Sequence, residues 1–150
     1  MHSPALDDAR ATANRYRPVL LLCAVYDGLI GLAFLFLPGP IFRLLGIQPA
    51  ADPVYVQLAA GLIALMGLAF YLAWRNPVLN RDIVLLGVAF KAFYILLAAY
   101  ALARGEVPHP VFLVFAGVDV LFLIVFVRLW QGSAAAHAAV AARLAGERGR

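Results

Sequence analysis

The sequence has little cysteine and little charge. Its 150 residues include one cysteine, Cys23, so the chain can form neither an internal disulfide nor a paired-cysteine motif for redox chemistry or metal binding. Cys23 lies in an apolar run, and we predict that it packs as a buried core thiol. Charged residues make up 13% of the chain and hydrophobic residues 65%, more apolar surface than a water-soluble globule of this length could bury. The composition therefore indicates a membrane protein.

Motifs of the familiar chemistries are missing as well. The three histidines, His2, His109 and His137, all lie outside the long apolar runs, which argues against a bis-histidine haem among the helices. The sequence contains no nucleophile motif, no phosphate-binding glycine loop and no metal-ligand spacing. Glu106 and His109 could bind a metal weakly, but two ligands define no site and a solvated loop pair is the preferred interpretation. We predict no enzyme activity, no catalytic residue, no cofactor and no metal site.

Four apolar runs are long enough to cross a bilayer. A hydrocarbon core about 30 Å thick needs roughly 20 residues of helix, because every backbone polar group must be paired within the segment. The runs are residues 19–37, 54–74, 83–103 and 111–130. Prolines and glycines separate them, and the brief second and third connections predict that consecutive helices are antiparallel neighbours. The predicted fold class is an all-α membrane protein, with residues 19–130 forming a four-transmembrane-helix antiparallel bundle.

Three segments flank or connect these runs. Residues 1–18 form a predicted cytoplasmic arm; it resembles the start of a signal peptide, but no small-residue cleavage site follows Leu37, so the first run is predicted to be a retained helix. In the first connection, residues 41–47 place Arg43 among apolar neighbours, which predicts a short interfacial helix between helices 1 and 2. Residues 131–150 form a predicted alanine-rich cytoplasmic tail that either prolongs the fourth helix into water or lies loosely along the surface.

Basic residues are divided unequally between the two sides of the predicted bundle. Nine arginines fall on the side of both termini, and only Arg43 and Arg104 fall on the other. The nine are Arg10, Arg15, Arg17, Arg75, Arg81, Arg128, Arg143, Arg148 and Arg150. Positively charged loops stay in the cytoplasm, so both termini are predicted to be cytoplasmic, with Trp74 and Trp130 at that interface. The net charge of +4 follows from this topology, and we predict no nucleic-acid partner.

Three ionisable residues lie inside the apolar runs: Asp27, Lys91 and Asp119. Asp27 and Lys91 each follow an arginine, Arg17 and Arg81, by about ten residues, or about 15 Å of helix, and Asp119 lies at a similar depth. A lone charge at the membrane centre costs roughly 2.5 to 3.5 kcal/mol. We therefore predict that Lys91 faces the bundle interior and bonds to Asp27, Asp119 or both. An aspartate left unpaired is expected to be protonated.

The predicted cluster has two interpretations. Ionisable residues inside a membrane are candidates for a functional site. A lysine and aspartate pair could equally fix the order and rotation of the helices without any activity. Tyr94, one turn after Lys91, is the tyrosine whose hydroxyl we predict to lie near the cluster. The candidate ligand-binding residues are Asp27, Lys91, Asp119 and Tyr94.

Two further patterns concern helix packing. Residues 18–27 and residues 110–119 share proline, valine, leucine, alanine and aspartate at matching positions. This repeat suggests an inverted pseudo-symmetry around a midplane site, although apolar sequences also match by chance. Small residues at close spacing predict that the first two helices approach each other closely. They are Ala24 and Gly28 in the first run and Ala60, Ala64 and Gly67 in the second.

Three segments and Lys91 carry a resemblance to a known family. They are residues 31–38 (Gly-Leu-Ala-Phe-Leu-Phe-Leu-Pro), residues 43–47 (Arg-Leu-Leu-Gly-Ile) and residues 61–69 (Gly-Leu-Ile-Ala-Leu-Met-Gly-Leu-Ala). The four runs together resemble the small four-helix DoxX-like membrane proteins of bacteria, whose founding member is a subunit of a quinone-linked thiosulfate-oxidising complex. The resemblance implies a four-helix bundle in a bacterial inner membrane, serving as an accessory subunit. It supplies no catalytic residue at a matching position.

Three functions fit these observations. The leading prediction is a small inner-membrane accessory subunit or hydrophobic-ligand-binding bundle whose buried polar core is the predicted cluster. The first alternative is a proton- or ion-coupled transporter that uses the same residues. The second is a quinone-associated redox subunit, in which Tyr94 or Lys91 donates a hydrogen bond to a quinone carbonyl. The predicted partners are membrane lipids, together with other membrane subunits or a homodimer partner.

Overall fold

The computed structural model describes residues 4–107 and 109–148, and this part of the chain is helical almost throughout. Helices account for 84% of the protein, and the described residues contain no strand. The helices in chain order are α1 (Pro4–Phe36), α2 (Pro38–Leu44), α3 (Pro53–Arg75), α4 (Arg81–Ala103), α5 (Val111–Gly132) and α6 (Ala134–Arg148).

Four of these helices, α1, α3, α4 and α5, are long and apolar enough to cross a membrane, as the sequence predicts. The last three begin and end within two residues of the predicted limits. The first begins much earlier than predicted, because α1 starts at Pro4 and continues through Pro18, so that most of the predicted arm is helical. Ala13 in this early part is buried and α1 packs against α6. Tertiary packing of this kind stabilises a helical segment beyond its own propensity.

The outer surface of the four long helices is strongly apolar. Large hydrophobic side chains such as Leu22, Leu65, Phe93 and Leu121 are each more than 60% exposed to the surroundings of the isolated chain. Water-soluble monomers rarely expose contiguous apolar surface of this extent. The exposed faces therefore require a hydrocarbon environment, which agrees with the composition and with a multi-pass membrane protein.

The connection after α1 contains the short helix α2. Pro38 follows the end of α1 and occupies the first turn of α2, where a missing backbone N-H costs no helical hydrogen bond. For this reason α2 begins three residues before the predicted segment of residues 41–47. Gly46, with φ of +68°, ends the helix, and Ile47 N-H donates to the carbonyl of Phe42 at 2.8 Å. Left-handed backbone at this position is accessible to glycine without steric cost.

Helices α1 and α3 form the most extensive contact in the molecule, and small residues make it possible. A Cβ atom on Gly67 of α3 would lie 2.5 Å from the backbone nitrogen of Gly28 and 3.0 Å from the carbonyl oxygen of Ala24. Gly31 of α1 meets the backbone of Ala64 in the same way. The small residues predicted to form packing faces therefore lie at this helix crossing, where backbones approach closely.

A dense aromatic and aliphatic core fills one half of the molecule. Its buried residues, from α1, α3, α4 and α5, are Ala13, Leu20, Cys23, Ala24, Phe70, Ala73, Val84, Phe122, Phe126 and Leu129. The rings of Phe70 and Phe126 pack edge to face with centroids 5.0 Å apart, and Gly87 leaves room for both. The sulfur of Cys23 is part of this core, which confirms the predicted buried thiol.

Two arginines bind the carboxyl ends of two helices by the same contacts. Arg17 Nε donates to the carbonyl of Trp74 at 2.8 Å, and its guanidinium lies 5.1 Å from the indole centroid. Arg81 Nε donates to the carbonyl of Trp130 at 2.9 Å, and its guanidinium lies 4.3 Å from that indole. Each arginine supplies a donor to a helix end and a cation to an aromatic face. These contacts join α1 to α3 and α4 to α5.

The tail differs from both sequence-based alternatives. A turn at Ser133 separates α5 from α6, so the fourth long helix is not simply prolonged. Ser133 and Ala136 are buried, and a Cβ atom on Gly132 would lie 2.5 Å from Thr12 Cγ2. His137 Nδ1 donates to the carbonyl of Val78 in the connection between α3 and α4, at 2.9 Å. The tail therefore packs against the connection between α3 and α4 and against α1.

Candidate functional site

The three ionisable residues predicted inside the membrane spans meet at one point. Asp27 comes from α1, Lys91 from α4 and Asp119 from α5. They are only 3%, 1% and 5% exposed. The lysine contacts both aspartates, so the structure contains the predicted cluster in its fuller form. Each of the three helices is rotated so that its ionisable side chain points into the molecule. The outward faces of the same helices carry exposed leucine and phenylalanine side chains.

The two aspartates contact the ammonium unequally. Lys91 Nζ donates to Asp27 Oδ1 at 2.8 Å and to Asp27 Oδ2 at 2.9 Å. The Cys23 thiol, one helical turn before Asp27, donates to Oδ2 at 3.7 Å. Asp119 Oδ1 is buried and also lies 2.8 Å from Nζ, so it meets the ammonium through one oxygen. Asp27 is thus the two-point partner of Lys91, and Asp119 is its one-point ion-pair partner.

Aromatic rings surround the ammonium on its other sides. The ring centroids of Tyr26, Phe122, Phe90 and Phe70 lie 5.4, 5.5, 5.6 and 5.9 Å from Lys91 Nζ. The negative faces of such rings attract a cation within about 6 Å. The surroundings of Lys91 therefore compensate its buried charge by two carboxylates and by aromatic faces.

The formal charges of the cluster do not cancel. Ionised Asp27, Lys91 and Asp119 sum to −1, since two carboxylates face one ammonium. Among the described residues that line the adjoining cavity, Lys91 is the one basic side chain. An uncompensated charge in the membrane interior is costly. The cluster consequently reaches neutrality only with one more positive charge, which a proton or a bound cation can supply.

A cavity of about 390 Å³ adjoins the cluster. It is lined by the end of α1, the start of α3, the second half of α4 and the start of α5. Its aromatic lining residues are Tyr26, Phe34, Phe42, Tyr55, Phe90, Tyr94, Phe112 and Phe115, and the others are Asp27, Ile30, Val56, Ala59, Ala60, Ile63, Lys91 and Asp119. Volumes of this size hold small organic molecules, and an apolar wall with a few convergent polar groups is typical of ligand sites.

The cavity occupies one half of the molecule and the packed core occupies the other. Phe122, one turn after Asp119, belongs to the core, as do Phe70 and Leu20. The polar cluster therefore lies at the closed end of the cavity, where the open space meets dense packing. At the opposite end are α2, through Phe42, and the start of α3, where Tyr55 is 73% exposed.

Tyr94 lines the same cavity as the three ionisable residues, and its hydroxyl has a backbone partner. The hydroxyl donates to the backbone carbonyl of Phe112 in α5 at 3.2 Å. Tyr94 thereby joins α4 to α5. Tyr94 is therefore a wall residue of the candidate site, and its hydroxyl hydrogen is already donated to Phe112.

The loop residues considered as weak metal ligands have other partners. Glu106 Oε1 accepts a hydrogen bond from Arg104 Nε at 2.9 Å. His109 Nδ1 accepts from the backbone N-H of Val111 at 3.2 Å, at the start of α5. Across residues 4–107 and 109–148 there is no group of three or more histidine, cysteine, aspartate or glutamate side chains that could hold a metal ion.

Comparison with known proteins adds no relative. No protein-family model matches the chain, and no match was found among curated proteins or solved structures. The candidate site is therefore interpreted from its own geometry.

Sequence reasoning missed the aromatic surroundings of Lys91 and the paired arginine contacts. For the arginine contacts the sequence does carry a signal, in the form of matching residue intervals. Arg17 precedes Asp27 by the same interval as Arg81 precedes Lys91, and Phe70 precedes Trp74 by the same interval as Phe126 precedes Trp130. These pairs relate α1 and α3 to α4 and α5, whereas the predicted repeat related α1 to α5. Both aspartates of that predicted repeat contact Lys91, but its prolines differ, because Pro18 lies inside α1 and Pro110 precedes α5.

Proposed function

We propose that this protein is a ligand-binding membrane protein that takes a small lipophilic molecule into the cavity beside Lys91. The observation that carries the proposal is the apolar cavity with three buried ionisable residues at one end. Apolar walls favour a molecule that partitions into the bilayer, and the polar end selects one with a matching head group. The protein is proposed to act as a non-enzymatic binding component or accessory subunit.

The proposed arrangement is an antiparallel four-helix bundle in a bacterial inner membrane, with both termini in the cytoplasm. The arginine distribution supports this orientation. The cavity then lies in the outer half of the membrane, and α2 lies in the outer interface beside it. Phe42 of α2 supports this placement, since it lines the cavity and packs against Phe34 with ring centroids 5.8 Å apart. The resemblance to DoxX-like proteins is consistent with the same arrangement.

The two alternatives receive less support from the geometry. A quinone carbonyl would need a free donor, but the Tyr94 hydroxyl donates to Phe112 and the Lys91 ammonium is held by two carboxylates. A coupled transporter needs access to its site from both sides of the membrane. In the described part of the chain the cavity ends at the cluster, and the packed core lies beyond it. Binding is therefore preferred to transport.

The test is to identify small molecules retained by the protein. The protein is purified in a mild detergent, and retained molecules are detected by native mass spectrometry and by organic extraction. We expect one bound molecule per chain in the wild type and its loss in Ala59→Phe, which places a ring in the cavity. Leu62→Phe on the same helix is the control, because Leu62 lines a separate outer groove between α1 and α3. Retention of nothing by the wild type, or equal retention by Ala59→Phe, contradicts the proposal.

A further inference from the structure

The charge of the candidate site determines which class of molecule it can hold. The cluster carries one carboxylate more than it has ammonium groups, and all three members line the cavity. An anionic head group would add a second negative charge beside Asp119. A neutral head group would leave the excess charge uncompensated. A monocation alone restores neutrality at the closed end of the cavity without drawing on a proton.

Asp119 is the carboxylate available to such a cation. Both oxygens of Asp27 are occupied by Lys91, and one also accepts the Cys23 thiol. Asp119 Oδ1 is buried, and its contact with Lys91 Nζ at 2.8 Å is the one polar contact of this oxygen among the described residues. A carboxylate oxygen has two lone pairs, so Oδ1 can accept a further contact. Asp119 therefore has acceptor capacity beyond its contact with Lys91, and it supplies the excess negative charge of the cluster.

The walls are suited to an organic cation in particular. Half of the cavity-lining residues are aromatic, and four of them, Tyr26, Phe34, Phe112 and Phe115, come from α1 and α5. Aromatic faces bind organic ammonium groups, including quaternary ones that have no N-H to donate. Hard metal cations instead require six or more oxygen ligands, or a shell of water, which these apolar walls do not provide.

We propose that the molecule bound in the cavity is a small lipophilic organic monocation, with Asp119 as its counter-ion and the aromatic side chains as its walls. This inference rests on the proposed function, since it names the class of ligand for the same cavity. Lys91 and Asp27 act as positioning residues. Their charges cancel each other, and the negative charge of Asp119 is left over for the ligand. The cation enters through the end of the cavity opposite the cluster and places its charged group beside Asp119.

The experiment compares two probes of one shape. Benzyltrimethylammonium and neopentylbenzene differ only in a charged nitrogen replacing a carbon, and both are smaller than the cavity. Binding is measured by titration calorimetry to the full chain in nanodiscs, with empty nanodiscs as the background. We expect the cation to bind at least tenfold more tightly than the neutral probe. In Asp119→Asn the cation should lose at least tenfold in affinity, while binding of the neutral probe stays within about twofold.

Each outcome distinguishes the inference from the proposed function. If both probes bind equally well and Ala59→Phe displaces both, the cavity is a binding site but the cation inference is wrong, and a proton neutralises the cluster. If neither probe binds and no molecule is retained on purification, the proposed function fails as well. The wild-type comparison of the two probes decides the inference even if Asp119→Asn does not fold.

Discussion

Lys91 Nζ donates to both carboxylate oxygens of Asp27, at 2.8 and 2.9 Å, so that α4 is joined to α1 by a two-point ion pair inside a membrane span. The same ammonium contacts Asp119 through one oxygen only, at 2.8 Å. This inequality separates a structural partner of the lysine from a carboxylate with unused capacity, and it leads directly to the first prediction.

Asp27→Asn should destabilise the protein more than Asp119→Asn. The first change weakens two charged hydrogen bonds and removes the best partner of a buried ammonium, and breaking a buried pair costs about 3 to 5 kcal/mol. The second change leaves both of these hydrogen bonds in place and weakens a one-point contact, so a cost below about 1.5 kcal/mol is expected. Either change brings the cluster to formal neutrality, so the difference reflects the contacts and not the charge. Unfolding free energies from titration with a denaturing detergent give the comparison. Equal losses would show that both aspartates hold Lys91 in the same way.

Gly67→Ala should separate α1 from α3. The new Cβ would meet backbone atoms of Gly28 at 2.5 and 2.8 Å, and backbone cannot move aside as a side chain can. Overpacking of this kind costs about 1 to 3 kcal/mol. Gly61→Ala is the matched control on the same helix, since a Cβ there has nothing within 4 Å. Thermal unfolding in one detergent should show a lower midpoint for Gly67→Ala only, and an equal midpoint for both variants would argue against the close crossing.

Arg17→Lys and Arg81→Lys should each weaken a helix end although the positive charge remains. Lysine lacks the planar guanidinium that stacks on the indole while its Nε donates to the carbonyl, so a loss of about 1 to 2 kcal/mol in stability is expected for each variant. The emission of Trp74 or Trp130 should change in the corresponding variant, because the cation leaves the ring. Arg75→Lys is the control, as the Arg75 side chain is exposed at the end of α3. Unchanged stability and emission in both test variants would mean that these contacts contribute nothing measurable.

The proposed orientation predicts which connections face the outside of the cell. A cysteine introduced as Gln48→Cys, between α2 and α3, should react with a membrane-impermeant maleimide in intact spheroplasts. One introduced as Leu79→Cys, between α3 and α4, should react only after the membrane is permeabilised. The wild type provides the unlabelled control, because the native Cys23 is fully buried. The reverse pattern of labelling would place the termini and the cavity on the opposite sides.

The positions of the long helices and the contact partners of Lys91 were accessible from the sequence for one reason. Hydrocarbon penalises an unpaired backbone group or an unpaired charge so strongly that few arrangements remain. The arm and the tail were less predictable, since nothing local in residues 4–18 or 134–148 marks them as partners. Ala13, Ser133 and Ala136 are buried where α6 returns to pack against α1.

The sequence by itself determined that the chain is a helical membrane protein and that Asp27, Lys91 and Asp119 share one depth, because helix rise and bilayer thickness depend on residue order alone. Tertiary structure alone decided that Lys91 meets Asp27 through two oxygens and Asp119 through one, and that aromatic side chains line a cavity on one side of them. These features depend on how far each helix is rotated and on which distant side chains meet, and neither is set by residue order along one helix.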